Sequence, residues 1–113
     1  MNKTLALLTC ALLITACKPS EKDFISLGEG VVREGLKDPD SAKFNSFYHS
    51  SGDSDGYVCG HVNAKNSYGG YTGNKPFFVY IDTINGELKS HGPVTIISDD
   101  DEKGLEKYHL FCQ

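Results

Sequence analysis

The most apolar strand in this sequence is Pro76-Phe77-Phe78-Val79-Tyr80-Ile81-Asp82-Thr83, and Ile84-Asn85-Gly86 follows it directly. Aromatic and β-branched side chains pack well on the pleated surface of a sheet, so their density here predicts a strand. Asn-Gly is typical of a type I′ turn, whose twist matches that of a two-stranded hairpin. We therefore expect the chain to turn at Asn85-Gly86 and to return antiparallel over Glu87–Ser90.

Three further segments predict strands on either side of this hairpin. Apolar and polar residues alternate through Ala42–His49, and Tyr57–Ala64 is a second strand-like segment. Val94–Ile97 is a short apolar run that follows the strand breaker Gly92-Pro93. Lys103–Phe111 is compatible with a short helix or with a last strand, and its pattern does not separate the two.

A helix is predicted ahead of the strands. Apolar residues recur at helical spacing through Asp23–Lys37, and Pro39 disfavours helical geometry at Asp38, which ends the helix. The fold class is therefore α+β: one N-terminal amphipathic helix packed on a four- to five-stranded antiparallel sheet, in a single small domain of residues 23–113.

The start of the chain predicts a bacterial lipoprotein signal peptide over residues 1–16. Lys3 supplies a positive charge, Leu5–Ile14 is a short apolar run, and Leu13-Ile14-Thr15-Ala16-Cys17 has the pattern in which the cysteine receives the lipid. The run is shorter than the roughly 20 residues that a transmembrane helix needs. We predict lipidation of Cys17 and a polar tether over residues 17–22. An ordinary signal peptide cut near Ala16 is the alternative.

The predicted anchor indicates where the protein resides and what it contacts. Acyl chains on Cys17 would bind the membrane without crossing it, since each buried methylene contributes about 0.8 kcal/mol. Lys18 is not the aspartate that favours inner-membrane retention, so we predict the periplasmic face of the outer membrane. The outer leaflet of the inner membrane and secretion are the alternatives.

Size and charge limit the remaining function classes. Cleavage before Cys17 leaves 97 of the 113 residues, and the loss of Lys3 changes the net charge from −4 to −5. This length suits one small domain. An acidic domain is a poor candidate for binding nucleic acid, which requires a basic surface.

The cysteine count predicts one disulfide. Cys10 leaves with the signal peptide and Cys17 carries lipid, so Cys59 and Cys112 remain as a pair in an oxidising compartment. The Cys59–Cys112 bond would close a loop of about 50 residues and stabilise the domain by about 4 kcal/mol. Two free thiols in a metal or redox site are the alternative.

No residue set in the sequence indicates catalysis, a cofactor or a metal site. Asp53-Ser54-Asp55-Gly56 has the acidic spacing of a calcium loop, but the position of the required glutamate is Val62. The histidines lack metalloprotease spacing, although His49 and His61 could face each other across a hairpin. We predict no enzymatic activity, with a small periplasmic hydrolase or ligand carrier as a less favoured alternative.

The loop Asn63–Lys75 is rich in glycine, asparagine and tyrosine. Tyrosine offers a broad contact area at low entropic cost, and asparagine and glycine adapt their hydrogen bonds, as in antibody paratopes. This composition predicts a binding loop. Its candidate contact residues are Asn66, Tyr68, Gly69, Gly70 and Tyr71. The alternative is a long hairpin loop whose tyrosines fold back over the edge of the sheet.

Two motifs resemble those of a family of small uncharacterised exported bacterial proteins. Leu36–Phe44 has the form L-x-D-P-x-S-A-x-F, and Cys59–Tyr71 has the form C-G-x-V-N-x-K-N-x-x-G-G-Y. The resemblance implies a shared fold and export, and it implies no activity. His61 stands where many relatives are expected to have glutamate.

These features together predict a lipid-anchored, non-enzymatic binding module of the cell envelope. Its partners would be the membrane, through the acyl chains on Cys17, and an envelope protein or glycan. Confinement to a surface raises the effective concentration of a co-resident partner, so a weak interface suffices. The alternative function is that of a prophage-type exclusion lipoprotein that blocks an outer-membrane receptor.

Overall fold

A computed structural model of the chain describes residues 19–113. They form an α+β fold with two α-helices and a five-stranded antiparallel sheet. The elements in chain order are α1 (Glu21–Glu34), a 3-10 turn (Pro39–Ser41), β1 (Lys43–Ser50), β2 (Asp55–Asn63), β3 (Lys75–Ile84), β4 (Glu87–His91), β5 (Thr95–Ile96) and α2 (Glu102–Phe111). The strand order is β1-β2-β3-β4, and β5 pairs with β3 beside β4.

Helix α1 is shifted toward the N-terminus relative to the predicted helix Asp23–Lys37. Ser20 and Asp23 form a reciprocal capping box, in which each side chain accepts a hydrogen bond from the other residue's backbone N–H. This arrangement satisfies two amides that the first turn leaves unpaired. The helix ends at Glu34, and Gly35 caps it by donating its N–H to Val32 and Arg33.

Helix α1 covers one face of the sheet and forms the larger core. Phe24, Val31 and Val32 are buried against the even-numbered positions of β2 and the odd-numbered positions of β3. The sheet residues in this core are Val58, Val62, Phe77, Val79 and Ile81. Full burial of each aliphatic or aromatic side chain contributes about 1.5–3 kcal/mol, so this face supplies much of the stability.

Helix α2 covers part of the opposite face, which resolves the alternatives for Lys103–Phe111. Asp101 caps the helix by accepting a hydrogen bond from Gly104 N at 2.9 Å. The predicted Cys59–Cys112 disulfide is confirmed, and it joins the end of α2 to β2 with a Cα–Cα distance of 6.1 Å. The expectation of one helix was incomplete, because the disulfide holds a second helix on the face that α1 leaves open.

The described part of the chain contains no helix that is both long and apolar enough to cross a membrane. The predicted signal peptide and the lipidation site Cys17 lie outside the described residues.

Candidate binding site at the hairpin tip

The predicted binding loop is itself a short hairpin, which we call the tip hairpin (residues 64–72). Lys65 and Tyr71 form an antiparallel bridge. Asn66 N donates to Gly70 O at 2.9 Å, and Thr72 N donates to Ala64 O at 3.2 Å. The segment between β2 and β3 is therefore held by backbone hydrogen bonds.

Asn66 organises the turn at the apex of the tip hairpin. Its side-chain Oδ1 accepts hydrogen bonds from Tyr68 N at 3.0 Å and from Gly70 N at 3.2 Å. Its backbone oxygen accepts a third bond from Gly69 N at 3.1 Å. Gly69 has φ +81°, a conformation that residues with a Cβ rarely adopt. Asn66 and Gly69 therefore shape the turn.

Tyr68 projects from this apex into solvent. It is 97% exposed, the largest value among the exposed large hydrophobic residues of the described chain. Its backbone is fixed through the Asn66 hydrogen bond, so the ring extends from a defined point. Such a ring offers contact area to a partner at little cost in backbone order.

Tyr71 instead folds back on the body of the domain. Its hydroxyl donates to Ser41 O at 3.1 Å, and the ring is 42% exposed. The ammonium groups of Lys43 and Lys65 lie 4.7 Å and 5.5 Å from its centroid. Both distances are within the range of cation–π attraction. The two predicted contact tyrosines thus differ, because Tyr68 projects while Tyr71 supports the hairpin.

Four lysines surround the base of the tip hairpin. Lys37, Lys65 and Lys75 line a groove of about 220 Å³, and Lys43 lies on the Tyr71 ring. The apolar part of the groove lining comprises Leu36, Val62, Ala64 and Ile96. The two salt bridges of residues 19–113 are Arg33–Glu29 and Lys89–Asp82, and neither includes these lysines. The surface next to the two ends of the tip hairpin is therefore rich in lysine.

The tip hairpin and the start of α1 lie at opposite ends of the domain. Near the start of α1, Phe24 stacks on Tyr48 at 4.2 Å, and Pro19 shares a hollow with Ser50 in the last position of β1. The tip hairpin instead contacts Ser41, which precedes β1. The eight residues of β1 separate the two ends by about 26 Å at 3.3 Å per residue.

The histidines do not converge. The β1–β2 register places Asn45 opposite His61 and Tyr57 opposite His49, so His49 and His61 do not face each other across the hairpin, the arrangement that the sequence left open. The turn between β1 and β2 sets this register, in which the partner of His49 is Tyr57, four residues before His61. Within residues 19–113, no group of three or more His, Cys, Asp or Glu side chains is placed to hold a metal ion.

Asp55, from the calcium-like segment, is engaged within the fold. Its carboxylate accepts a short hydrogen bond from the Tyr80 hydroxyl, and its backbone oxygen accepts one from the Tyr48 hydroxyl at 2.7 Å. The bond to the Asp55 carboxylate raises the pKa of Tyr80 to about 12. Asp55 thus ties β2 to β1 and β3.

The comparisons with known proteins yield no relative: no family model, no curated protein and no solved structure matches the chain. The structure nevertheless shows that the two motifs quoted above meet in space. Ser41 of the first motif accepts a hydrogen bond from Lys65 N at 2.8 Å and receives the Tyr71 hydroxyl, both from the second.

The residues that support the tip hairpin from outside it carry no signal in the sequence pattern. Ser41 belongs to the first motif and Lys43 to the predicted strand Ala42–His49, and neither position indicated a contact with the loop. The contacts of Ser41 with Lys65 and Tyr71, and of Lys43 with Tyr71, span 24 to 30 positions of sequence. Such pairing follows from the sheet register, and no local pattern signals it.

Proposed function

We propose that the protein is a membrane-anchored bacterial lipoprotein that binds another envelope component through the tip hairpin, without catalysis. In this proposal residues 1–16 are a signal peptide, Cys17 carries the lipid, and the short segment before Glu21 links it to α1. The predicted tether of residues 17–22 thus overlaps the first turn of the helix. The address is the periplasmic face of the outer membrane, and the partner is an envelope protein or a glycan.

The observation that carries the proposal is the exposure of Tyr68 on an ordered hairpin. A ring that is 97% exposed on a flexible loop would lose much conformational entropy on binding. Here Asn66 fixes the turn, and the Tyr71–Ser41 hydrogen bond fixes the base. The loop is therefore already ordered in the free protein, so less conformational entropy is lost on binding. This favours a recognition role.

The position of the tip hairpin also supports the proposal. Helix α1 begins at Glu21, four positions after Cys17, so a lipid on that cysteine would hold the start of α1 close to the bilayer. The tip hairpin is at the far end of β1, about 26 Å further along at 3.3 Å per residue. Tyr68 would then face away from the membrane, toward components in the periplasm.

The test is photo-crosslinking in cells that express the full-length chain. A photoreactive phenylalanine replaces Tyr68, and the matched control replaces Leu110, which is 72% exposed on α2. We expect a discrete adduct from position 68 and none from position 110. Absence of an adduct from position 68, or the same adduct from both positions, would contradict the proposal.

A further inference from the structure

We infer that the tip hairpin recognises an anionic glycan, with Tyr68 stacking on a sugar ring and the lysines at its base binding phosphate or carboxylate groups. The inference rests on the proposed function and specifies the chemistry of its partner. The residues that carry it are Tyr68 and the basic cluster, defined as Lys37, Lys43, Lys65 and Lys75.

The first argument is the local charge. The predicted mature chain has a net charge of −5, yet four of its lysines gather at one end. Lys43 and Lys65 are held over the same Tyr71 ring, within 4.7 Å and 5.5 Å of its centroid, so their ammonium groups are at most about 10 Å apart. Like charges at this separation repel each other, and an anion bound near both ammonium groups would offset that repulsion.

The acidic residues nearest in sequence are not among the partners in the described salt bridges. Asp38 and Asp40 lie in the turn before Ser41, and neither forms one of the two salt bridges described. Four lysines beside these two carboxylates leave an excess of two positive charges among these groups, which favours an anionic over a cationic ligand.

The second argument is the shape and polarity of the surface. A stable protein–protein interface buries about 800 Å² on each partner around an apolar centre. The tip hairpin offers one projecting ring, Tyr68, while the 42% exposed Tyr71 is held against the domain. The other exposed residues around Tyr68 are small or polar: Asn66, Ser67, Gly69, Gly70, Thr72 and Asn74. One aromatic ring among amide, hydroxyl and ammonium donors suits a sugar ring with hydroxyl and anionic substituents better than it suits an apolar protein surface.

The groove gives the anionic substituent a place beside the ring. It is about 220 Å³ in volume, and Lys37, Lys65 and Lys75 line it together with Thr72 and Asn66. Because Asn66 also fixes the turn that carries Tyr68, the groove and the ring belong to one structural unit. A saccharide that stacks on Tyr68 can therefore extend a charged group toward these lysines.

The test is an amide NMR titration of the full-length chain in non-ionic detergent with three trisaccharides. One carries carboxylates (trigalacturonate), one carries phosphate (phosphorylated maltotriose), and neutral maltotriose is the reference. We expect shifts at residues 65–72 with the anionic sugars, and binding at least tenfold weaker for the neutral one. The stronger of the two anionic probes identifies the substituent. Equal affinity for all three sugars, or no shift at residues 65–72, overturns the inference.

Variants connect the affinity to the basic cluster. Lys43→Gln with Lys65→Gln removes two charges and is expected to weaken anionic-sugar binding about tenfold. The matched control, Lys103→Gln with Lys107→Gln on α2, removes the same charge and is expected to change affinity less than twofold. Tyr68→Ala is expected to weaken both anionic sugars. If the two double variants lower the affinity for the anionic sugars equally, the binding depends on overall charge and not on the basic cluster, and the inference is overturned.

The crosslinking experiment separates this inference from the proposed function. A protein adduct from position 68 would overturn the glycan assignment and leave a binding module in place. No adduct from position 68 contradicts the proposed function. An adduct from position 68 without amide shifts for the anionic sugars overturns the glycan assignment alone.

Discussion

The hydroxyl of Tyr71 donates a hydrogen bond to Ser41 O at 3.1 Å, across 30 positions of sequence. Ser41 also accepts a bond on its side-chain oxygen from Lys65 N at 2.8 Å. One residue of the turn before β1 therefore holds both sides of the tip hairpin. The position of Tyr68 depends on this support, because Lys65 and Tyr71 form the base from which the apex extends.

Ser41→Ala is expected to destabilise the tip hairpin. The substitution leaves Lys65 N without its partly buried acceptor, a loss of about 1–2 kcal/mol. Amide hydrogen exchange should accelerate at residues 65–72, and urea unfolding should show a comparable loss of stability. Ser67→Ala at the exposed apex is the control and should change neither measurement. Unchanged exchange in Ser41→Ala would show that the tip hairpin does not depend on this contact.

Gly28 allows α1 to approach the sheet closely. A Cβ at this position would lie 2.5 Å from Val58 Cβ, closer than real contacts permit. Gly28→Ala is therefore expected to destabilise the fold by about 1–3 kcal/mol in urea unfolding. Gly30→Ala is the matched control, since a Cβ there meets nothing within 4 Å, and it should stabilise by about 0.5–1 kcal/mol. Equal shifts for both variants would contradict this packing.

The strands were predictable because their pattern is local. Alternation of side chains between two faces is a property of each strand alone, and the observed ends of β1 to β5 differ from the predicted ones by at most two residues. The turn at Asn85 and Gly86 was predictable for the same reason, and Asn85 has φ 53° as a type I′ turn requires.

Helix α2 and the roles within the tip hairpin were not predictable in this way. The last segment is short, and the disulfide that positions it joins residues 53 apart. Likewise, nothing near Tyr71 distinguishes it from Tyr68. The difference arises because the β1–β2 register places Ser41 and Lys43 beside Tyr71, while Tyr68 lies beyond their reach.

The Cys59–Cys112 bond is expected to be necessary for α2 to dock. The stack of Phe111 on Tyr57, with ring centroids 4.8 Å apart, is among the contacts that would then have to hold the helix end, and we expect them to be too weak to replace the covalent link to β2. Replacing both cysteines by serine should destabilise the domain by about 2–5 kcal/mol. The wild-type chain should gain two hydrogens in mass on reduction, and the serine variant should gain none. No mass change in freshly isolated wild-type protein would exclude the bond.

Tyr80 is expected to make the fold sensitive to alkaline pH. The hydrogen bond to Asp55 raises the pKa of Tyr80 from 10.0 to about 12. The unfolded chain loses this proton near pH 10, so the stability contributed by the bond is complete below pH 10 and declines as pH rises toward 12. Burial also raises the pKa of Tyr48 and Tyr108, so the tyrosinate absorbance of Tyr80→Phe is subtracted from that of the wild type. The difference should show one group that ionises near pH 12. Asp55→Asn should return that group toward pH 10, and an unchanged titration in Asp55→Asn would contradict the assigned cause.

Cys17 is expected to determine whether the protein is on the membrane. The multiple acyl chains predicted for this residue bind stably, whereas the mature chain has a net charge of −5 and its basic cluster lies at the end of the domain away from the start of α1. Cys17→Ser should therefore move the protein from the membrane fraction to the soluble periplasmic fraction. Urea unfolding of the released variant should match that of the wild-type domain, because α1 is capped from Ser20 onward and the core begins at Phe24. Continued sedimentation of Cys17→Ser with membranes would mean that another surface binds the bilayer, and the proposed outward orientation of Tyr68 would lose its basis.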